Sequence, residues 1–241
     1  LLATKRNDRA QKLFELLSAR APKNKEVLLG LAACKRHVRD LPAAEALAAE
    51  ALTMDPSYLA ATHEMAEILL AKGAFDEALA LLEKNVFRED AHPDSIDLWV
   101  AQLREKKRET YLQQKLEWLA GKCPQKVEFV FAYGMTANRA GELTLARPAL
   151  ERANALAPNN SKILYELGIV ERIAGNIEKS NDFIRRSLAL RPDFPAGLRT
   201  LGVDHRYAYG DDEFKRLNRV AAGLAEMSVE DQIQTHYALG K

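Results

Sequence analysis

The chain has 241 residues, 47% hydrophobic but only 7% aromatic, and its 35 basic and 34 acidic residues leave a formal charge of +1. So even a balance gives no reason to expect nonspecific nucleic-acid binding, which needs a clustered positive face. No apolar run approaches the roughly 20 residues that cross a bilayer.

Length alone would allow two globular domains, but the chain repeats itself. Pro22, Pro56, Pro124, Pro158 and Pro192 share one phase of a 34-residue period, with Asp90 in the one vacant slot. A fixed period of this size marks a stack of like supersecondary units whose core runs along the stack. With each proline at position 32, the chain opens on a partial unit, 1–24, whose Ala10, Phe14, Leu17 and Pro22 fit a second helix. Full units follow at 25–58, 59–92, 93–126, 127–160 and 161–194, without insertions.

Within each unit, apolar residues recur at three- and four-residue steps, as in Leu28, Leu31 and Ala32. Gly73, Gly141 and Gly175 at position 15 predict a left-handed turn between two helices. Small residues stand at position 8 (Ala32, Ala66, Gly134, Gly168) and position 20 (Ala44, Ala78, Ala146). Bulky ones face them from position 24: Leu82, Leu116, Leu150 and Ile184. Each unit thus reads as helix, tight turn, helix, and a proline that stops the second helix. Unit 93–126 departs most, with Val100, Lys107 and Leu112 at positions 8, 15 and 20, yet Trp99, Leu103, Leu116, Leu119 and Pro124 keep its register. A divergent unit, 195–228, holds Leu198, Leu201, Gly202, Tyr209, Gly210 and Phe214, and residues 229–241 begin another first helix. With no initiator Met and no polar capping helix, the chain reads as a piece of something longer.

Two isolated cysteines, Cys34 and Cys123, suit a reducing, cytoplasmic setting, with Cys34 a buried structural thiol. His63, Glu64 and Glu67 begin like a zinc-protease helix but lack the second histidine, and Asp204 and His205 have no nucleophile beside them. No phosphate loop, nucleophile elbow or paired cysteine motif occurs, so neither catalysis nor a cofactor is expected of this chain.

The small–large–small pattern and the 34-residue phase resemble the tetratricopeptide repeat. Leu164, Leu167, Gly168, Gly175 and Pro192 match best, along with Tyr133, Gly134, Gly141, Ala146, Ala153 and Pro158. The resemblance spans almost the whole chain. It implies an all-α fold, a right-handed superhelix of antiparallel helix pairs in one solenoid domain, which binds a protein or peptide on its concave face. In that family positions 2, 5, 9, 12 and 13 of the first helix line the groove. Before residue 127 those positions hold Glu26, Glu67, Asp94, Asp97 and Glu105 against Arg36 and Arg104, a net charge of −3. From there on they hold Arg139, Lys162, Arg172, Arg199 and Arg206 against Glu128, a net charge of +4. Phe131, Met135, Tyr165, Ile169 and Val203 lie among these bases, and an apolar floor rimmed with arginine suits an extended acidic peptide. A solvated face with incidental charges remains the alternative. The carboxylate clamp of chaperone-binding repeats needs Asn at position 9, where this chain has Ala33, Glu67, Ala101, Met135 and Ile169, so a chaperone-tail partner is not expected.

Residues 205–241 carry a second resemblance, through the runs beginning at Arg206 and Ser228 and the closing Ala238, Leu239, Gly240 and Lys241. They are similar to the segment that joins repeats to the catalytic domain in bacterial repeat–sulfotransferase proteins. That implies a substrate-recognition arm whose catalytic part lies beyond Lys241. Ser228 as N-cap with Asp231 three residues on approximates a capping box. Oligomeric state is not legible, although uncapped ends leave room for self-association.

Overall fold

The structure is a computed structural model that describes residues 2–21, 23–204, 212–224 and 227–239. Every element among them is helical: α1 (Leu2–Arg20), α2 (Lys25–His37), α3 (Leu41–Met54), α4 (Leu59–Lys72), α5 (Phe75–Val86), α6 (Pro93–Glu105) and α7 (Glu109–Lys122). These are followed by α8 (Val127–Arg139), α9 (Leu143–Leu156), α10 (Ser161–Ile173), α11 (Ile177–Leu190), α12 (Pro195–Asp204), α13 (Asp212–Ala222) and α14 (Val229–Leu239). The chain divides into two compact units, Leu1–Leu112 and Gln113–Lys241, and the division falls inside α7.

The turns that close the five full repeats share one geometry. Gly73, Gly141 and Gly175 have φ of 81°, 80° and 84°, and Arg39 and Lys107 adopt the same left-handed region at 66° and 55°. At each turn that residue's N–H bonds the carbonyl three residues back, and the next N–H bonds the carbonyl five back, as in Gly73 to Leu70 and Ala74 to Leu69. Lys107 to Arg104 and Arg108 to Leu103 repeat the pattern. This paired closure satisfies carbonyls that the helix end would leave orphaned. Lys107 therefore keeps the turn without glycine. At the other helix ends, Asn24 and Asn160 accept N–H bonds from the first turns of α2 and α10. Ser228 Oγ accepts the Asp231 N–H at 3.1 Å, the first half of the expected capping box, while the Asp231 carboxylate accepts the Ser228 hydroxyl at 3.0 Å in place of its backbone N–H.

In unit 1, Ala32, Ala44, Ala48 and Ile68 form one buried cluster, and Leu28, Ala51 and Ala61 another. Trp99 is fully buried, edge-on to Phe87, and its indole N–H points to Glu83 at 3.3 Å. In unit 2, Leu150 and Ala146 of α9 meet Val130 and Ala137 of α8, with Ile163, Leu167 and Val170 of α10 closing the same core. The small residues of the first helices are small because the second helices touch them. A Cβ on Gly134 would lie 2.8 Å from Leu150 Cγ, and one on Gly168 would lie 2.5 Å from Ile184 Cδ1. Further along, Leu198 and Leu201 of α12 share a core with Leu217 and Val220 of α13 and Ala238 of α14.

Candidate functional site

Eight of the nine predicted groove residues lie on first helices of unit 2. Phe131, Met135 and Arg139 are on α8; Lys162, Tyr165, Ile169 and Arg172 are on α10; Arg199 is on α12; Arg206 lies outside the described residues. Steps of four and three place Phe131, Met135 and Arg139, and likewise Tyr165, Ile169 and Arg172, on one face of their helices. Phe131 and Tyr165 are half-buried against the cores below, whereas Arg139 and Lys162 are exposed.

Tyr165 is the best-defined member. Its ring meets Phe194 edge-on at 4.8 Å between centroids, and the Arg191 guanidinium lies 4.9 Å over the Phe194 ring. Its hydroxyl is in hydrogen-bonding contact with Thr200 and Arg199 of α12. Burial pushes the Tyr165 phenol up, and Thr200 and Arg199 offset part of that rise. Tyr165 therefore stays a neutral hydrogen-bonding group and ties Arg199 to α10. The Arg199 Nε is buried with no hydrogen-bond partner. Arg172 turns one terminal nitrogen toward α11, where the Asn181 oxygen accepts it at 3.0 Å.

Sequence reading passed over residues that organise this face. Asn138 of α8 donates to Glu166 of α10 at 3.3 Å, and Phe194 and Arg191 complete the aromatic–basic cluster around Tyr165. In unit 1 the same spacing of 28 residues joins Arg36 to Glu64, at 2.7 and 3.2 Å. Pairing residues 28 apart for complementary polarity would have found both contacts. Beneath the face, Glu171 is almost fully buried and binds Asn176 at 2.7 Å, with Arg147 and Lys179 close by. Burial pushes its carboxyl up, but Asn176 and the two cations outweigh that and hold it below the usual value.

The groove positions of unit 1 look different. Arg36 contacts both Glu64 and Glu67, and His63 Nε2 faces Glu67 at 3.8 Å. Glu67 is thus occupied by an arginine, and no group of three or more metal-ligating side chains occurs among the described residues. Cys34 is buried, its thiol pushed up by desolvation, and Cys123 is half-buried; both are free. No helix among the described residues is long and apolar enough to cross a membrane.

A run of helical hairpins closed by identical left-handed turns, with small-on-large seams, defines a helical-repeat scaffold. Tetratricopeptide repeat family models match residues 36–94 in one case and residues 1–58 and 131–195 in another, so the chain belongs to the tetratricopeptide repeat family. Among solved structures, it is similar to the APC/C hetero-tetramer Cut9–Hcn1, with 13% identity and a TM-score of 0.64 over 97% of this chain and 46% of that one. It thus spans about half of that chain's length. It is also similar to YrrB, described as a TPR protein with an unusual peptide-binding site, at 19% identity and a TM-score of 0.48, over 80% of this chain and 99% of that one. MamA aligns with 13% identity and a TM-score of 0.48, over 78% and 98%. No curated protein matches. At these identities the likeness is one of fold.

Proposed function

We propose that the chain is a binding scaffold, without catalysis of its own, that takes an acidic, extended protein or peptide segment along the α8–α10–α12 face of unit 2. The observation that carries this reading is where each unit's charges go. In unit 1 the groove arginine is already held by Glu64 and Glu67. In unit 2 that register position holds the neutral Asn138 on α8 and Arg172 on α10, which bonds Asn181, while Arg139 and Lys162 are exposed beside a half-buried floor of Phe131, Met135, Tyr165 and Ile169. Aromatic and aliphatic anchors ringed by guanidinium groups favour a partner that brings carboxylates and apolar side chains together.

Anisotropy titration of a labelled peptide rich in Asp, Glu and Phe tests it. Replacing Arg172→Glu together with Arg206→Glu is expected to weaken binding by about 100-fold. Added salt should weaken the wild-type complex as it screens the exposed bases. Lys84→Glu, on the exposed side of unit 1, should leave binding unchanged. An affinity that ignores the double charge reversal would overturn the proposal.

A second reading makes the chain the recognition arm of a larger sulfotransferase-type enzyme. It rests on the resemblance of residues 205–241, while the family-model matches stop at residue 195. A donor-turnover assay on the full-length protein separates the two. The cytoplasmic assignment belongs with these proposals and is supported by the two free thiols.

A further inference from the structure

Unit 1 carries a buried polar cluster that the groove reading leaves unused. His63 of α4 and His92, the residue before α6, stack with ring centroids 5.4 Å apart and planes inclined by 20°. Asn85 of α5, almost fully buried, wires them together. Its Nδ2 donates to Ser95 Oγ at 3.1 Å and to the Leu59 carbonyl at 3.2 Å, and its Oδ1 accepts the His92 backbone N–H at 3.0 Å. Ser95 has no exposure at all, and its Oγ lies 3.2 Å from His63 Nδ1. Ser95 Oγ accepts from Asn85, and its one hydroxyl hydrogen can be donated to a neutral Nδ1. In that arrangement the neutral ring carries its proton on Nε2, on the side of Glu67.

Charges surround the pair on several elements. Glu64 and Glu67 come from the same helix, Arg36 reaches over from α2 to hold both, and Asp94 Oδ2 of α6 is 4.0 Å from His92 Nδ1. That His92 nitrogen is buried without a hydrogen-bond partner. Helix α3 also packs on α4, and its carboxylate Glu45 is bonded to Lys72. Helix α5 contributes the neutral Asn85.

We propose that the stacked His63–His92 pair is a proton-sensitive joint that fastens the start of α6 to α4 while His63 is neutral and loosens when His63 is protonated. A proton arriving at His63 Nδ1 points into Ser95 Oγ. The hydroxyl hydrogen must then turn away from Nδ1, and a buried hydrogen bond is lost. The stacked neighbour would face a cation across the shared ring face. The new charge also competes with Arg36 for Glu67, so the groove face of unit 1 changes its pairing as the joint opens.

An NMR titration of the imidazole carbons in the intact chain tests this, run with native-state amide exchange between about pH 7 and pH 5. His63 is expected to titrate below the ordinary histidine value. Amides of α4 and the first turn of α6 should lose protection several-fold beyond the intrinsic pH effect, while those of α8–α11 hold. His63→Asn keeps a short polar side chain near Ser95 but cannot titrate, so it should remove the acid-induced loss. If that variant does not fold, the wild-type titration decides alone. Unchanged protection in α4 and α6 on acidification, or an equal loss in a folded His63→Asn protein, would overturn the joint.

Discussion

The two units build the same hairpin with different materials. Unit 1 places alanine at the close approach between first and second helices, at Ala32 and Ala66, and closes two of its turns on Arg39 and Lys107. Unit 2 places glycine at both kinds of position, at Gly134 and Gly168 in the seams and at Gly141 and Gly175 in the turns. Their polar faces differ in the same sense. Arg36, Glu64, Glu67, His63, Ser95 and Asn85 form one connected network in unit 1, whereas on the corresponding face of unit 2 Arg139 and Lys162 are exposed. The same repeat backbone thus carries two different polar faces.

The tighter seam of unit 2 is the place to break the comparison hardest. Gly168→Val puts a branched side chain where a single Cβ already lies 2.5 Å from Ile184 Cδ1 and 3.2 Å from the Ser180 carbonyl. The expected loss in chemical denaturation is about 3 kcal/mol. Ala66→Gly in unit 1 only trims a methyl and loosens the helix backbone, so it should cost about 1 kcal/mol. Equal losses would mean that the two seams are not packed differently.

The contrast in polar wiring comes next. Glu64→Gln removes the charge that receives two Arg36 hydrogen bonds, in a side chain only 8% exposed, and should cost about 2 kcal/mol. The matching change Glu166→Gln replaces a carboxylate bonded to the neutral Asn138, and should cost under about 1 kcal/mol. A larger loss at Glu166 would reverse the distinction between the self-satisfied face and the open one.

Acid should separate the units too. Burial is the largest effect on His63 and pulls it below its free-chain value of 6.5; the charge of Glu67 opposes this and that of His92 adds to it. The unfolded chain therefore takes up the proton first, and stability falls as pH drops from about 6.5 toward the depressed folded value. The described histidine of unit 2, His236, is exposed. Differential loss of unit 1 signals in a pH-stepped thermal melt is the expected outcome, and a melt that weakens both units alike would argue against it.

How much of this was legible depends on what each position has to do. The glycine turns and the small-on-large seams were readable because sterics admit few residue types there: the turn at Gly141 needs a left-handed φ, and Ile184 leaves no room for a side chain at Gly168. The direction in which a long side chain spends its charge was not readable. Arg172 and Arg36 hold the same register position, yet one bonds Asn181 of the neighbouring second helix and the other the carboxylates of the following first helix. That choice depends on which acceptor the partner helix presents, information held 9 or 28 residues away. The stacking of His63 on His92 was hidden for the same reason.

The smallest effect concerns the turns, where Lys107 stands at the position that glycine holds in three other units. Its left-handed φ of 55° shows that hydrogen bonding at the helix end outweighs side-chain preference. An L-residue pays roughly 1–2 kcal/mol for that conformation, and glycine avoids the clash while losing part of the gain to its freer unfolded chain. Lys107→Gly and Arg39→Gly should therefore each stabilise the protein, by about 0.5–1 kcal/mol, read as a higher denaturation midpoint with unchanged slope. The two sites are far apart in sequence and belong to different turns, so their gains should add. Gly141→Lys in unit 2 is the reciprocal change, and should cost about what Lys107→Gly returns. A neutral or destabilising Lys107→Gly would mean that this side chain makes a stabilising contact that outweighs its backbone strain.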